Sequence, residues 1–185
     1  MNYVGKSPGP DIAALLALEA RVTALEGRQT IIPLAAAGGA QINFLGIPAG
    51  IKKLWAHFLG VSTNGVSIII AQLGSAGGIE IAGYHGNAAG VNTGAVIGSG
   101  ADFTTGLPLH SLGNAGSFYH GFMSLVHAGG NTWLAHGCIN SDSGNTPTFF
   151  FAGSKTLAGP LDRFRLTTVG GVEIFDGGQV GIAYE

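Results

Sequence analysis

Residues 66–71 read Val66-Ser67-Ile68-Ile69-Ile70-Ala71, and residues 149–151 read Phe149-Phe150-Phe151. Both runs are continuous rather than alternating, so they predict strands buried on both faces. A sheet in a small sandwich has one inner face, so a second buried face implies packing against another subunit or a carrier. Outward from these runs, the chain from Gln41 onward is a series of short apolar or alternating segments broken by glycine, asparagine and serine. That is an all-β signature. The expected strands are 41–46, 51–60, 66–73, 79–85, 94–98, 117–127, 132–139, 147–152, 161–168 and 179–184, a number that suits a sandwich. Residues 86–116 carry the weakest pattern and read as loops at one sandwich end, and 139–145 read as a polar hairpin turn. Few helices are expected after residue 30, because 33 of 185 residues are glycine and each costs about 1 kcal/mol in a helix interior relative to alanine.

Composition narrows the class. Apolar residues make up 46% of the chain and charged residues only 10%, against roughly 25% charged in ordinary soluble domains. That balance excludes a disordered chain. The eight Lys and Arg residues form no cluster, which argues against nucleic acid and membrane surfaces as partners. Residues 54–79 and 103–141 contain no Asp, Glu, Lys or Arg, yet both are interrupted by polar residues and glycine too often to supply the ~20 apolar residues of a membrane span. Met1 to Asp11 shows no apolar signal segment, so synthesis in a cytoplasm is expected. The single cysteine, Cys138, excludes an intrachain disulfide and reads as a buried, inert thiol.

The first thirty residues differ from the rest, holding six of the eighteen charges. Gly5, Pro8, Gly9 and Pro10 favour extended backbone, so 1–11 reads as an arm. Asp11 is placed to cap a helix over 12–26, with Gly27 at its end. Within it Leu15, Leu18, Val22 and Leu25 follow the a-d-a-d spacing of a coiled coil, and Arg21 and Glu26 fall at g and the next e, where they can pair between chains. The rest of the helix is alanine-rich, so a narrow stripe is all it offers to bury. Two heptads alone are marginal in water, and a larger interface must hold the chains together. The organisation is then an anchoring arm (1–11), a short coiled-coil helix and linker (12–30) and a β-sandwich domain (31–185).

Chemistry-bearing patterns are sparse. None of the six histidines forms a His-x-His or His-x-x-x-His pair, and one cysteine cannot build a thiolate zinc site. His120 and His127 lie on opposite faces of one expected strand. A triad can be drawn from Ser143, His136 and Asp142, but no Gly-x-Ser-x-Gly elbow accompanies it. The few acids beyond residue 30 nominate no glycosidase pair, and no phosphate-binding loop is present. No catalytic, cofactor or metal residue is assigned and no enzymatic activity is expected. Asp162, Arg163 and Arg165 read as a structural ion-pair clasp. Trp55, Trp133, Phe118, Tyr119 and Phe122, as alternating strand residues, read as core, with sugar stacking the other reading.

Several segments carry a resemblance in order along the chain. They are Phe44-Leu45-Gly46-Ile47-Pro48-Ala49-Gly50-Ile51-Lys52-Lys53, Gly60-Val61-Ser62-Thr63-Asn64-Gly65, Gln72-Leu73-Gly74, Gly77-Gly78-Ile79-Glu80 with Gly83-Tyr84, Asp162-Arg163-Phe164-Arg165-Leu166-Thr167-Thr168 and 175–185. Together they resemble a β-sandwich module at the C-terminal end of many bacteriophage fibre and virion structural proteins. The resemblance implies a jelly-roll-like homotrimer preceded by a coiled coil, located in the virion and joined to capsid, collar or tail proteins, here through residues 1–11. Its two heptads span only about 20 Å, which favours a short spike or head fibre over a long fibre. The loops 86–93, 98–116 and 140–146, rich in Asn, Ser, Gly and His, suit hydrogen bonding to a host surface polysaccharide. The rival reading is a decoration protein that braces the shell, its loops mere connections.

Overall fold

The computed structural model describes residues 11–18, 29–33, 39–98, 102–142 and 147–185. Among them are one short helix, α1 (12–18), and two antiparallel sheets. The larger sheet runs, edge to edge, β1 (Gln29–Pro33), β13 (Phe175–Tyr184), β3 (Lys53–Thr63), β9 (Tyr119–Gly129), β10 (Thr132–Ser141), β11 (Thr148–Thr156), β6 (Tyr84–Val91) and β7 (Val96–Gly98). The smaller runs β2 (Ile42–Leu45), β12 (Arg163–Thr168) and β4 (Ile69–Ser75), with β5 (Gly78–Ile79) and β8 (Leu107–Pro108) both on the far edge of β4.

Alternation along the strands builds the core. The small sheet contributes Ile42, Phe44, Leu73, Phe164 and Leu166; the large one contributes Leu54, Met123, Leu125, Ile139, Phe149 and Val180, and all are buried in one cluster. The rings of Phe44 and Phe164, directly paired across β2 and β12, sit 6.0 Å apart in a tilted arrangement, a favourable aromatic geometry.

Two bulges shape the large sheet. Register shifts between Phe58 and Val61 on β3, and between Phe175 and Gln179 on β13, fall opposite each other. Gly60 and Gly178 sit there at φ of 64° and 81°, and a Cβ on Gly178 would collide with the Gly60 carbonyl. Glycine is therefore required by conformation and by space. The ladder donor freed at Gly60 N–H is taken by His120 Nδ1 at 3.2 Å.

The structure corrects several expectations. Phe149-Phe150-Phe151 alternates: Phe149 and Phe151 are buried, but Phe150 points out of the sheet and is 54% exposed. In the other run, Ile69, Ile70 and Ala71 are buried on both faces while Val66 precedes β4 and is exposed. The outward Ile70 is covered by this chain's own segment around Gly106, not by a second molecule. Residues 86–91, read as loop, belong to β6, whose small residues Gly86, Ala88 and Gly90 hid its alternation. Gly86 and Gly153 are small because β6, β11 and Leu107 approach closely there. β1 and β8 were not foreseen, and the expected strand 79–85 divides between β5 and β6. At Gly65 the space a side chain would occupy is filled by the Glu173 carboxylate, which accepts the Ser67 N–H at 2.8 Å. Cys138 is half-buried on the outer face rather than in the core.

Candidate interaction surfaces

The cap of α1 is as the sequence indicates. Asp11 Oδ1 accepts from Ala13 N–H at 3.0 Å, satisfying a first-turn donor. Of the heptad residues, Leu15 and Leu18 are described and stand 47% and 54% exposed, with Ile12 and Leu16 also open. Val22 and Leu25, the charge pair Arg21 and Glu26, and residues 1–10 of the arm lie outside the described residues.

The second surface is the outer face of the large sheet. Register fixes its rows: Gly181, His57, Phe122, Cys138, Phe150 and Ala89 lie across β13, β3, β9, β10, β11 and β6. The next row is Ala183, Trp55, Ser124, His136, Ala152 and Asn87. Beside it, Lys53, Val126, Leu134, Ser154 and His85 form a third. Leu59, Phe122, Leu134 and Phe150 are each about half exposed. On these outward positions the only formal charge is Lys53, which pairs with Glu185 at 2.8 Å at the margin. Exposed Leu and Phe spread over adjacent strands are the kind of patch from which interaction surfaces are built. Leu134 and Leu59 were not singled out in the sequence, although apolar residues on both parities of a strand are the available signal.

The third surface is the sandwich end remote from the start of β1. The first residue of β1, Gln29, pairs with Ala183 near the start of β3, so the chain enters at that end. The opposite end is formed by 64–68, 92–95, 109–118 and 169–174, together with Asp142 and Pro147. Of the loops expected to bind sugar, 86–91 is strand and only parts of the others reach this end. Its exposed side chains include Val66, Leu112, Phe118, Val169, Val172 and Ile174. These are mostly aliphatic, and Phe118 is the exposed aromatic among them. The polar groups are largely committed: Asp142 accepts Phe118 N–H at 2.9 Å, Asn64 Oδ1 accepts Ile174 N–H at 2.9 Å, and Asp176 accepts the Ser62 hydroxyl at 2.6 Å.

Other candidates resolve into structure. Trp133 and Tyr119 are core, Trp55 is half-buried, and Phe118 and Phe122 are exposed. His120 and His127 pair with Asn140 and Trp133, which places them on opposite faces. His136 and Asp142 are six residues apart along β10 and its exit, about 20 Å, and Ser143 lies outside the described residues. Arg163 Nε donates to Asp162 at 3.0 Å, while Arg165 donates to Gln72 and Gln41 rather than to an acid. Among the described residues no group of three or more His, Cys, Asp or Glu is arranged to hold a metal, and no helix is long and apolar enough to cross a membrane.

Two buried polar groups stabilise the sandwich. Lys155, 6% exposed, reaches Glu80 at 2.7 Å and the Ala82 carbonyl at 2.9 Å, and its ammonium stands 5.2 Å from the Tyr84 ring. Burial pushes the Glu80 carboxyl up, but hydrogen bonds from Lys155 and Ala158 N–H and the Lys155 charge outweigh it and hold the group below the usual range. Burial also pushes the Tyr84 phenol well up, and its hydroxyl is engaged with Leu73 and Glu80 backbone. His110, fully buried, accepts Ile69 N–H through Nε2 at 3.0 Å, faces the Leu112 carbonyl through Nδ1 at 3.1 Å, and stacks on Tyr119 at 4.4 Å. That pattern requires the neutral Nδ1–H tautomer.

Neither the protein-family models nor the curated proteins contain a match to this chain.

Proposed function

We propose that this chain is a structural, non-catalytic virion protein of a bacteriophage, a homotrimeric short fibre or spike attached to the particle through residues 1–11. The observation that carries the reading is the exposed α1: Leu15 and Leu18 present the first half of a heptad seam with solvent around them, and such a stripe needs neighbouring helices. The ordered resemblance of the sandwich segments to phage fibre modules supports the same class. A jelly-roll topology is supported by connectivity, because β1, β2, β3 and β4 alternate between sheets, as do β12 and β13, and the order β1-β13-β3-β9 faces β2-β12-β4. The β9-β10-β11 meander stays within the large sheet.

The remote end is the face presented to the surroundings. Its exposed valines, Leu112 and Ile174 favour a second reading, a capsid decoration or head-fibre protein that braces the shell by apolar contact, over contact with a host polysaccharide. Particles lacking the protein discriminate between them. Poor adsorption to host cells is the spike result; normal adsorption with lost heat or osmotic resistance is the decoration result. Particles unaffected in both respects, or purified particles free of the protein, would overturn the proposal.

A further inference from the structure

We infer that the outer face of the large sheet is the surface through which copies of this chain associate, with the row His57, Phe122, Cys138 and Phe150 at its centre. The inference rests on the trimer reading above and assigns its contact surface. Three observations select a second copy as the occupant. The three central rows carry no charge except the marginal, internally paired Lys53; the carboxylates of Asp102, held by His85, and Asp176, held by Ser62, lie at the margins, so the centre of the face offers little to a charged partner. When identical chains meet about an axis, residues near it approach their own copies, and like charges there would repel; the central row His57, Phe122, Cys138 and Phe150 carries no carboxylate, lysine or arginine. Its extent is also sufficient, because strands about 4.8 Å apart with seven residues each at about 3.3 Å give roughly 700 Å² over the sheet, close to the ~800 Å² each partner contributes to a standard interface.

Chain connectivity agrees with this assignment. β1, an edge strand of this same sheet, is the first strand after the helix in the chain, so this sheet is the one the helical segment leads into. The half-exposed Phe150 then completes the second buried face that the Phe149-Phe150-Phe151 run implied, with its cover coming from another molecule.

Cys138, the only thiol in the chain, is a native probe in the central row. In the full-length wild type, its reaction with a water-soluble maleimide should be at least tenfold slower in the native assembly than in urea. The double variant Leu134→Glu/Phe150→Glu should sediment as a folded monomer with a fast-reacting thiol. Leu45→Glu/Val172→Glu, at exposed sites off this face, should keep the wild-type mass. An oligomeric wild type whose Cys138 reacts as fast as in urea overturns the inference while leaving the trimer intact, and this holds whether or not the variants fold. Retention of wild-type mass and thiol protection by Leu134→Glu/Phe150→Glu also overturns it. A monomeric wild type removes the trimer reading itself.

Discussion

Burial of His110 makes it a pH-sensitive point in the core. Desolvation pulls its pKa from 6.5 down to about 4, only partly opposed by the Leu112 carbonyl. Because the folded value lies below the unfolded one, the unfolded chain binds the extra proton between these values, and stability falls as pH drops through that window. The full contribution, about 3 kcal/mol, is present above pH 6.5. Urea unfolding at pH 7 and pH 4.5 should therefore show a steeper loss for wild type than for His110→Gln, which cannot titrate; parallel losses would refute this. Lys155 is the second sensitive residue. Lys155→Met should cost about 2–3 kcal/mol, less than a fully buried pair loses on removal of one partner, because Glu80 keeps 22% exposure. Adding Glu80→Gln should recover part of that loss, as read by urea midpoints. Neither role was legible in the sequence, where His110 and Lys155 are isolated residues with no spacing to mark partners 41 and 75 positions away.

Most strands were legible, because alternation of apolar and polar residues survives in β3, β9, β10, β11 and β12. β6 was hidden because its inward residues beyond Tyr84 are glycines and alanines, small to admit β11 and Leu107. Strand β1 was hidden behind a helix expected to run on to a linker through residue 30, and pairing with β13 is a long-range event that no local signal announces. The start of α1 was legible from Asp11. Its seam makes a separate prediction: Leu18→Asp/Leu25→Asp should weaken association of the helices and lower the temperature at which the assembly dissociates. The sandwich should retain its far-UV circular dichroism and cooperative melt, since no described residue of α1 is buried against it. A variant that fails to fold would place the helix in the sandwich's own core.

For the whole molecule, scarcity of charge and the sandwich class were readable from composition and periodicity, whereas the surfaces were not. Sequence placed the polar loops at a binding end; the folded chain puts exposed aliphatic residues there, and carries exposed Leu59, Phe122, Leu134 and Phe150 on the outer side of the large sheet. The reason is that a strand shows which residues share a face only once its register with its neighbours is known, as with Phe122, Cys138 and Phe150. On the proposal above, this surface and the helical seam join three chains. Sedimentation equilibrium of the purified full-length protein at micromolar concentration tests it most directly. A single species of three times the chain mass is expected; a monomer or a dimer would rule out the trimer.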